Sequence, residues 1–274
     1  MMRFSGHSLM QRRLPRIILE PMCGRSTLHD APTNILERFS LPPVLPGFEP
    51  HYNIAPTQQQ WTIARTGNRS PVARRMRWGL IPSWADDPSI GNRLINARAE
   101  SLTERPAFST PLRTQRCLIL ADGYYEWRRN GKTKTPVYFR LSDGRAFAFA
   151  GLWDCWNKGE APLETCTVIT TSAGKRAAVV HDRMPAMLVD DAVTSWLDVS
   201  ARPRQLLSLL APYDAEDLEM YEVARDVNNP ANDSPECIAR IQADSLGSDH
   251  EEHEENGELF LGKELAPVRP RSPR

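Results

Sequence analysis

The sequence predicts an α+β fold: one domain in which many short strands are mixed with a few short helices. Three observations carry this. β-branched and aromatic runs of strand length recur along the chain. Helical spacing of apolar residues appears only in brief stretches. No regular βαβ alternation is present, which argues against a doubly wound sheet. The 274 residues, 41% of them hydrophobic, suffice for one well-filled core.

The elements follow in chain order. Ile35, Leu36 and Phe39 fall at helical spacing and predict a short helix. Residues 41–60 hold five prolines and read as irregular chain. Trp61 to Ala64 is a strand candidate, followed by a turn at Gly67-Asn68. Arg74 to Ile81 reads as a strand that runs into Pro82. Leu118 to Leu120 and Val137 to Phe139 are further strands, and Asp143-Gly144 predicts a hairpin turn before a strand over Ala146 to Leu152. Thr167 to Thr171 is rich in β-branched residues. Asp190 to Leu197 and Pro203 to Leu210 are short helices, with Asp190 placed to cap the first.

Both ends differ in composition. The first 21 residues carry Arg3, Arg12, Arg13 and Arg16 against Glu20 alone. That is a transit-like leader, or else the product of an upstream start codon, with Met22 the true start; the second reading is preferred. The apolar run Ile17 to Leu19 is too short for a secretory signal. From about Gln242 the chain turns polar. Asp249 to Glu255 holds only acids and histidines, and Pro267 to Arg274 is rich in proline and arginine, so this tail reads as disordered. The expected organisation is an extension over 1–21, a domain over 22–240 and a tail over 241–274.

Formal net charge is zero, with 34 basic and 34 acidic residues, so no global basic signature exists; a local cationic patch still can. The five cysteines form no C-x-x-C pair, which leaves neither a zinc knuckle nor a thioredoxin-like motif and fits a reducing compartment. His250 and His253 sit in the acidic run, where solvated side chains are a better reading than metal ligands. No apolar stretch approaches the roughly 20 residues that span a bilayer. P-loop, G-x-S-x-G, H-E-x-x-H and G-x-G-x-x-G patterns are absent from the sequence.

Five segments carry candidate chemistry. If Met22 initiates and is removed, Cys23 exposes an α-amine beside its thiol. The amine pKa lies near 7.7–8.0 against about 10.4 for lysine, so its reactive fraction at neutral pH is several hundredfold larger, roughly. Such an amine condenses with an aldehyde to an imine, and the adjacent thiol can close on it as a thiazolidine. An open-ring abasic site is such an aldehyde. Taken alone, Cys23 reads more readily as a small core residue. Glu126, among the aromatics of Asp122-Gly123-Tyr124-Tyr125-Glu126-Trp127, is either a desolvated acid/base or a glutamate at a hairpin end. His181 and Arg183 of His181-Asp182-Arg183-Met184-Pro185 can donate a proton and hold a phosphate, or are a loop histidine and a surface arginine. Asn96 and Arg98 share a face if Asn96 to Glu100 is extended, and are solvated if it starts a helix. Trp78 and Trp84, beside Arg74, Arg75 and Arg77, suit stacking on single-stranded bases, or are core.

In this order the segments resemble the SOS response-associated peptidase (SRAP) family. The resemblance runs through Met22-Cys23-Gly24-Arg25, Tyr52 to Thr57, Trp78 to Trp84, Asn96 to Glu100, Asp122 to Trp127, His181 to Pro185, Val227 to Pro230 and Asn232 to Glu236, covering about residues 22–240. It implies a compact α+β domain around a strongly bent, barrel-like β core with short peripheral helices. It implies an abasic-site sensor that crosslinks single-stranded DNA through Cys23, with lyase or peptidase activity alongside. Asn96 would place the amine, Glu126 would act as acid/base, and His181 would contact the sugar oxygen. Arg98 and Arg183 would hold phosphates, with Trp78, Trp84 and Asn53 at the DNA. The implied partners are abasic single-stranded DNA and replication-fork proteins, with no cofactor or metal. The setting would be intracellular, nucleoid-associated when DNA is bound, and the protein a monomer. Two features depart from the family: the extension, which would block the amine of Cys23, and the acidic tail. The competing readings are a cysteine-type autopeptidase and a non-covalent single-strand binder.

Overall fold

Strand-forming segments dominate the chain, and they close on themselves. The computed structural model describes residues 23–67 and 69–241. The extension over 1–21, nearly all of the tail with its two histidines, and Asn68 of the expected turn lie outside the described residues. The strands are β1 (Ser26–Leu28), β2 (His51–Ile54), β3 (Gln59–Ala64), β4 (Val72–Trp78), β5 (Asn96–Arg98), β6 (Arg116–Ala121), β7 (Gly123–Asn130), β8 (Thr133–Leu141), β9 (Phe147–Trp156), β10 (Leu163–Ser172), β11 (Arg183–Pro185), β12 (Met187–Leu188) and β13 (Leu218–Glu222). The helices are α1 (Thr33–Leu36), α2 (Pro106–Thr114), α3 (Asp191–Leu197) and α4 (Pro203–Ser208), with short 3-10 turns between.

Five strands form a ring in the order β10-β4-β3-β6-β9 and back to β10, with β4 and β10 parallel. This closed barrel removes its own sheet edges. β5, β11 and β12 attach to it, while a second sheet runs β13-β8-β7-β1-β2. The expected α+β fold with a barrel-like core and short helices is what the molecule shows.

β6 and β9 of the barrel bury nearly every residue, which is why they read as apolar runs, while β4 leaves Val72 and Arg75 exposed. On β6, Cys117 and Ile119 join one cluster with Phe147, Phe149 and Trp78; Leu118 and Leu120 join another with Phe108 and Trp196 of the helices. Arg116 ties this helical layer down. Its guanidinium donates to Leu112 O (2.8 Å) and Arg113 O (2.9 Å) at the end of α2, and to Trp196 O (2.7 Å) and Asp198 O (2.7 Å) at the end of α3. One cation thus satisfies the terminal carbonyls of two helices.

Several sequence expectations change in detail. Residues 41–60 are not irregular throughout, because β2 forms there: it pairs with β1, and Asp233 Oδ1 accepts the backbone N–H groups of Tyr52 (2.5 Å) and Asn53 (3.0 Å). β4 stops at Trp78 rather than Ile81, since Gly79 turns to φ 123°. The Asp143-Gly144 turn exists but is not a hairpin, because it passes the chain from β8 in one sheet to β9 in the other. Asp190 precedes α3 with φ 50° and makes no side-chain cap; its carboxylate faces Arg38 instead, at 3.5 Å.

Candidate functional site

β1 is only three residues long, so side chains must hold it. The buried Asp122 accepts Thr27 Oγ1 (2.5 Å) and the backbone N–H groups of His29 (2.6 Å) and Asp30 (2.9 Å), and Thr27 Oγ1 also meets Tyr138 Oη at 2.9 Å. Gly123 leaves room for that contact; a Cβ there would lie 2.1 Å from Tyr138 Oη. Burial raises the Asp122 pKa, and the facing His29 and these hydrogen bonds oppose the rise. On the other side Arg25 donates to Asn53 Oδ1 (2.8 Å) and to the carbonyls of Val227 (2.5 Å) and Asn228 (3.0 Å), and it lies over the Trp127 ring. The strand that follows Cys23 is therefore fixed on both flanks.

Cys23 itself is 3% exposed and adopts φ 50°, in the left-handed region. Its partner is Glu126, in mid-strand on β7 and 4% exposed. The reading of Glu126 as a hairpin-end glutamate is thus corrected: the turn lies beyond it at Gly131. The Glu126 carboxyl hydrogen-bonds both the thiol and the backbone N–H of Cys23. Burial pushes its pKa up to about 7, against the pull of those two bonds. Its Oε1 is buried without a hydrogen-bond partner among the described residues. Burial, then the charge and hydrogen bond of Glu126, drive the Cys23 thiol well above its ordinary value, and Arg183 opposes this. The thiol is therefore protonated at neutral pH and needs a base before it can attack.

Tyr124 sits two residues before Glu126 on the same strand face. Its ring stacks on Phe139 at 4.7 Å, its hydroxyl has no partner among the described residues, and the charges of Cys23 and Glu126 act on it. Tyr124 and Asp182, whose charge acts on both Cys23 and Glu126, belong to the cluster and were not singled out from sequence. The two-residue strand period counted back from Glu126 was the available signal for Tyr124.

β5 and β11 both pair with the later half of β10, one on each side, which places Asn96 and Arg98 on one flank of β10 and Arg183 on the other. Asn96 to Arg98 is strand, as an extended reading required, and Arg98 is exposed. Arg183 is only 13% exposed and already engaged: it donates to both oxygens of Glu100, and to Thr170 O at 2.7 Å. That pairing lowers the Glu100 pKa. His181 Nδ1 lies 3.1 Å from the backbone N of Arg183 and 3.0 Å from Asp182 Oδ1.

Two expected DNA contacts are corrected. Trp78 is 1% exposed, packs in the core and donates its indole N–H to Ile95 O (2.8 Å), so it has no free face for a base. Asn53 is buried, and its amide donates to the carbonyls of Val227 (3.1 Å), Asn229 (3.1 Å) and Asn232 (2.7 Å); it organises the chain around Arg25. Trp84, 56% exposed, keeps an open indole on a loop anchored by Ser83 N–H to Asp154 and by Lys158 to its own carbonyl. Among the described residues no three His, Cys, Asp or Glu side chains converge as a metal site, and no helix is long and apolar enough to cross a membrane.

Comparison with known proteins finds similarity in both sequence and fold. Residues 22–230 match the family model described as SOS response associated peptidase (SRAP). The abasic site processing protein YoqW of Bacillus subtilis is 47% identical over 222 residues, spanning 79% of this chain and 99% of its own. The abasic site processing protein HMCES of Gallus gallus is 37% identical over 197 residues, spanning 62% of this chain and 58% of its own. Among solved structures, a Bacteroides thetaiotaomicron protein superimposes with TM-score 0.69 at 26% identity, covering 80% of this chain and all of its own. A phage-related Bordetella bronchiseptica protein does so with TM-score 0.60 at 26% identity, over 74% of this chain and 95% of its own.

Proposed function

The chain belongs to the SOS response associated peptidase (SRAP) family, and from that premise we propose that it processes abasic sites, capturing them in single-stranded DNA through Cys23. The observation that carries this reading is the contact of Glu126, a buried carboxyl near neutrality, with both the nitrogen and the sulfur of Cys23. Those are the two atoms a thiazolidine uses.

With the chain starting at Cys23, the nitrogen is an α-amine. Glu126 as carboxylate takes a proton from the ammonium, and the freed amine adds to the aldehyde carbon of the open sugar. Glu126 returns the proton to the departing hydroxyl, which leaves as water. The thiol then adds across the imine carbon, its proton passing to the nitrogen, and the ring closes with a net loss of one water. A pKa of about 7 suits both directions of that transfer. Asn96 places the amine, and His181 serves the sugar oxygen. Arg98, exposed beside the cluster, takes a flanking phosphate, and Arg183 joins it by sharing its guanidinium with Glu100. Trp84 offers a stacking face. Residues 22–240 form the working domain, and an imine that fails to close eases β-elimination, a lyase side reaction.

One observation favours a second activity. While a residue precedes Cys23, the same Glu126 contact spans the thiol and the amide nitrogen of the bond before it. That is the arrangement of a cysteine-type autopeptidase, in which Glu126 passes the thiol proton to the departing nitrogen as the thiol attacks the preceding carbonyl, and water then hydrolyses the thioester to release the leader as a carboxylic acid.

Protein beginning at Cys23 is to be mixed with an oligonucleotide carrying one abasic site and resolved on a denaturing gel. A shifted band is expected for the native protein and none for Cys23→Ala. An equal band from Cys23→Ala would overturn the mechanism.

A further inference from the structure

We propose that Tyr124 is a further catalytic residue of the Cys23 site, whose hydroxyl hydrogen-bonds the aldehyde oxygen of the opened abasic sugar and polarises that carbonyl for attack by the Cys23 amine. The inference deepens the covalent-capture reading and rests on it. Tyr124 is 1% exposed, as deeply buried as Cys23 and Glu126. Its hydroxyl has no hydrogen-bond partner among the described residues, and neither has Glu126 Oε1. A buried hydroxyl without an acceptor is a cost that phenylalanine would avoid at the same position. The ring itself is well placed without it, stacked on Phe139 and edge-on to Phe149.

Position fits a role at the reacting carbon. Tyr124 and Glu126 are two residues apart on β7, so both side chains stand on one face. Tyr124 pairs with Ser26 of β1, three residues along from Cys23. On the barrel side it belongs to one buried cluster with Ile95, Val180 and Met184. Those are the chain neighbours of Asn96, His181 and Arg183, so the cluster joins the β7 half of the site to the half on β5 and β11. Burial, then the charges of Cys23 and Glu126, drive the phenol above its ordinary range, so it keeps its proton and stays a donor at neutral pH.

One ligand atom suits both unsatisfied groups: an oxygen that accepts a hydrogen bond from Tyr124 and a proton from Glu126. The aldehyde oxygen is that atom. As the amine adds to the aldehyde carbon, the C=O electron pair moves onto this oxygen. Tyr124 donates a hydrogen bond to the charge that develops there and retains its own proton. The oxygen takes one proton from the nitrogen and one from Glu126, the one that Glu126 removed from the ammonium, and leaves as water. His181 serves a different atom, the oxygen released when the sugar ring opens.

The test compares protein beginning at Cys23 with its Tyr124→Phe variant in single-turnover crosslinking to a saturating abasic oligonucleotide. The variant is expected to react about 100-fold more slowly at every pH, with the midpoint of the pH profile unmoved. Its melting temperature should equal or exceed the native one. Anisotropy with the same oligonucleotide carrying a tetrahydrofuran in place of the lesion, which has no aldehyde oxygen, should give the native affinity. Thiazolidine formation with free glyceraldehyde, followed by mass, should slow by a similar factor, because it needs the carbonyl and no DNA contact. An undiminished crosslinking rate overturns the proposal. So does a lower melting temperature, which would assign the hydroxyl to the fold, or a loss of tetrahydrofuran-oligonucleotide affinity that matches the loss of rate. Native protein that gives no adduct with the abasic oligonucleotide would instead sink the capture reading, and the glyceraldehyde rates would still decide Tyr124.

Discussion

At the scale of single residues, the site turns on a carboxyl that is costly to bury when charged. Glu126 has its pKa raised from 4.5 to about 7 in the folded protein. The folded state therefore holds that proton more tightly than the unfolded chain. The stability it contributes is full below pH about 4.5 and lost as pH rises through about 7, a swing of about 3 kcal/mol. Glu126→Gln should be close to the native protein in urea unfolding at pH 5 and more stable than it at pH 8; equal stability at both would mean that the carboxyl is not desolvated. In crosslinking, the same variant should lower the rate by at least about 100-fold and move the pH midpoint up to that of an amine, about 7.7–8.0. An unchanged rate profile would remove Glu126 from proton transfer. The motif around Glu126 was legible in sequence, and its desolvation was one of two readings. What sequence could not weigh was position: four residues lie between it and the turn at Gly131, so it sits mid-strand, paired with Val137 of β8. Trp78 shows the converse. Arginines beside tryptophans suggested a stacking surface, but an indole that reaches Ile95 O from inside the core is indistinguishable, in one dimension, from one facing solvent.

At the scale of elements, the longer apolar strands were visible because they bury both faces, whereas β1, β2, β5 and β11 are short and stabilised by distant partners. β2 is held by Asp233, some 180 residues away, and β1 by Asp122. Asn96, Arg98 and Arg183 of the candidate site lie on β5 and β11, so the local signal was weak for that part of it. Asp122→Ala should leave the N–H groups of His29 and Asp30 and the Thr27 hydroxyl without their acceptor. Amide exchange should rise across residues 26–30 while the barrel stays protected, and crosslinking should slow because Cys23 is no longer held. Uniform exchange across β1 and the barrel would show that β1 does not depend on this clamp. The helical layer has its own anchor. Arg116→Leu should cost about 3 kcal/mol by leaving helix-terminal carbonyls of α2 and α3 unpaired; a loss below about 1 kcal/mol in urea would mean that water replaces the guanidinium at no cost.

At the scale of the whole molecule, the candidate site is divided between the closed barrel system and the second sheet. Cys23 and Glu126 lie on the second sheet, on or beside β1 and β7, while Asn96, Arg98 and Arg183 hang on β10 of the barrel system. The formal net charge is zero, so overall composition was silent about a nucleic-acid partner. The family and its barrel-like fold were legible from a string of motifs, several of which meet around β1 through hydrogen bonds. Capture requires the nitrogen of Cys23 to be an amine, and the most direct measurement is the intact mass of protein expressed from Met22, before and after mixing with single-stranded DNA bearing one abasic site. The expected result is loss of the initiator methionine, then a denaturation-resistant gain equal to the DNA mass less one water. A free Cys23 terminus that gains no mass would contradict covalent capture.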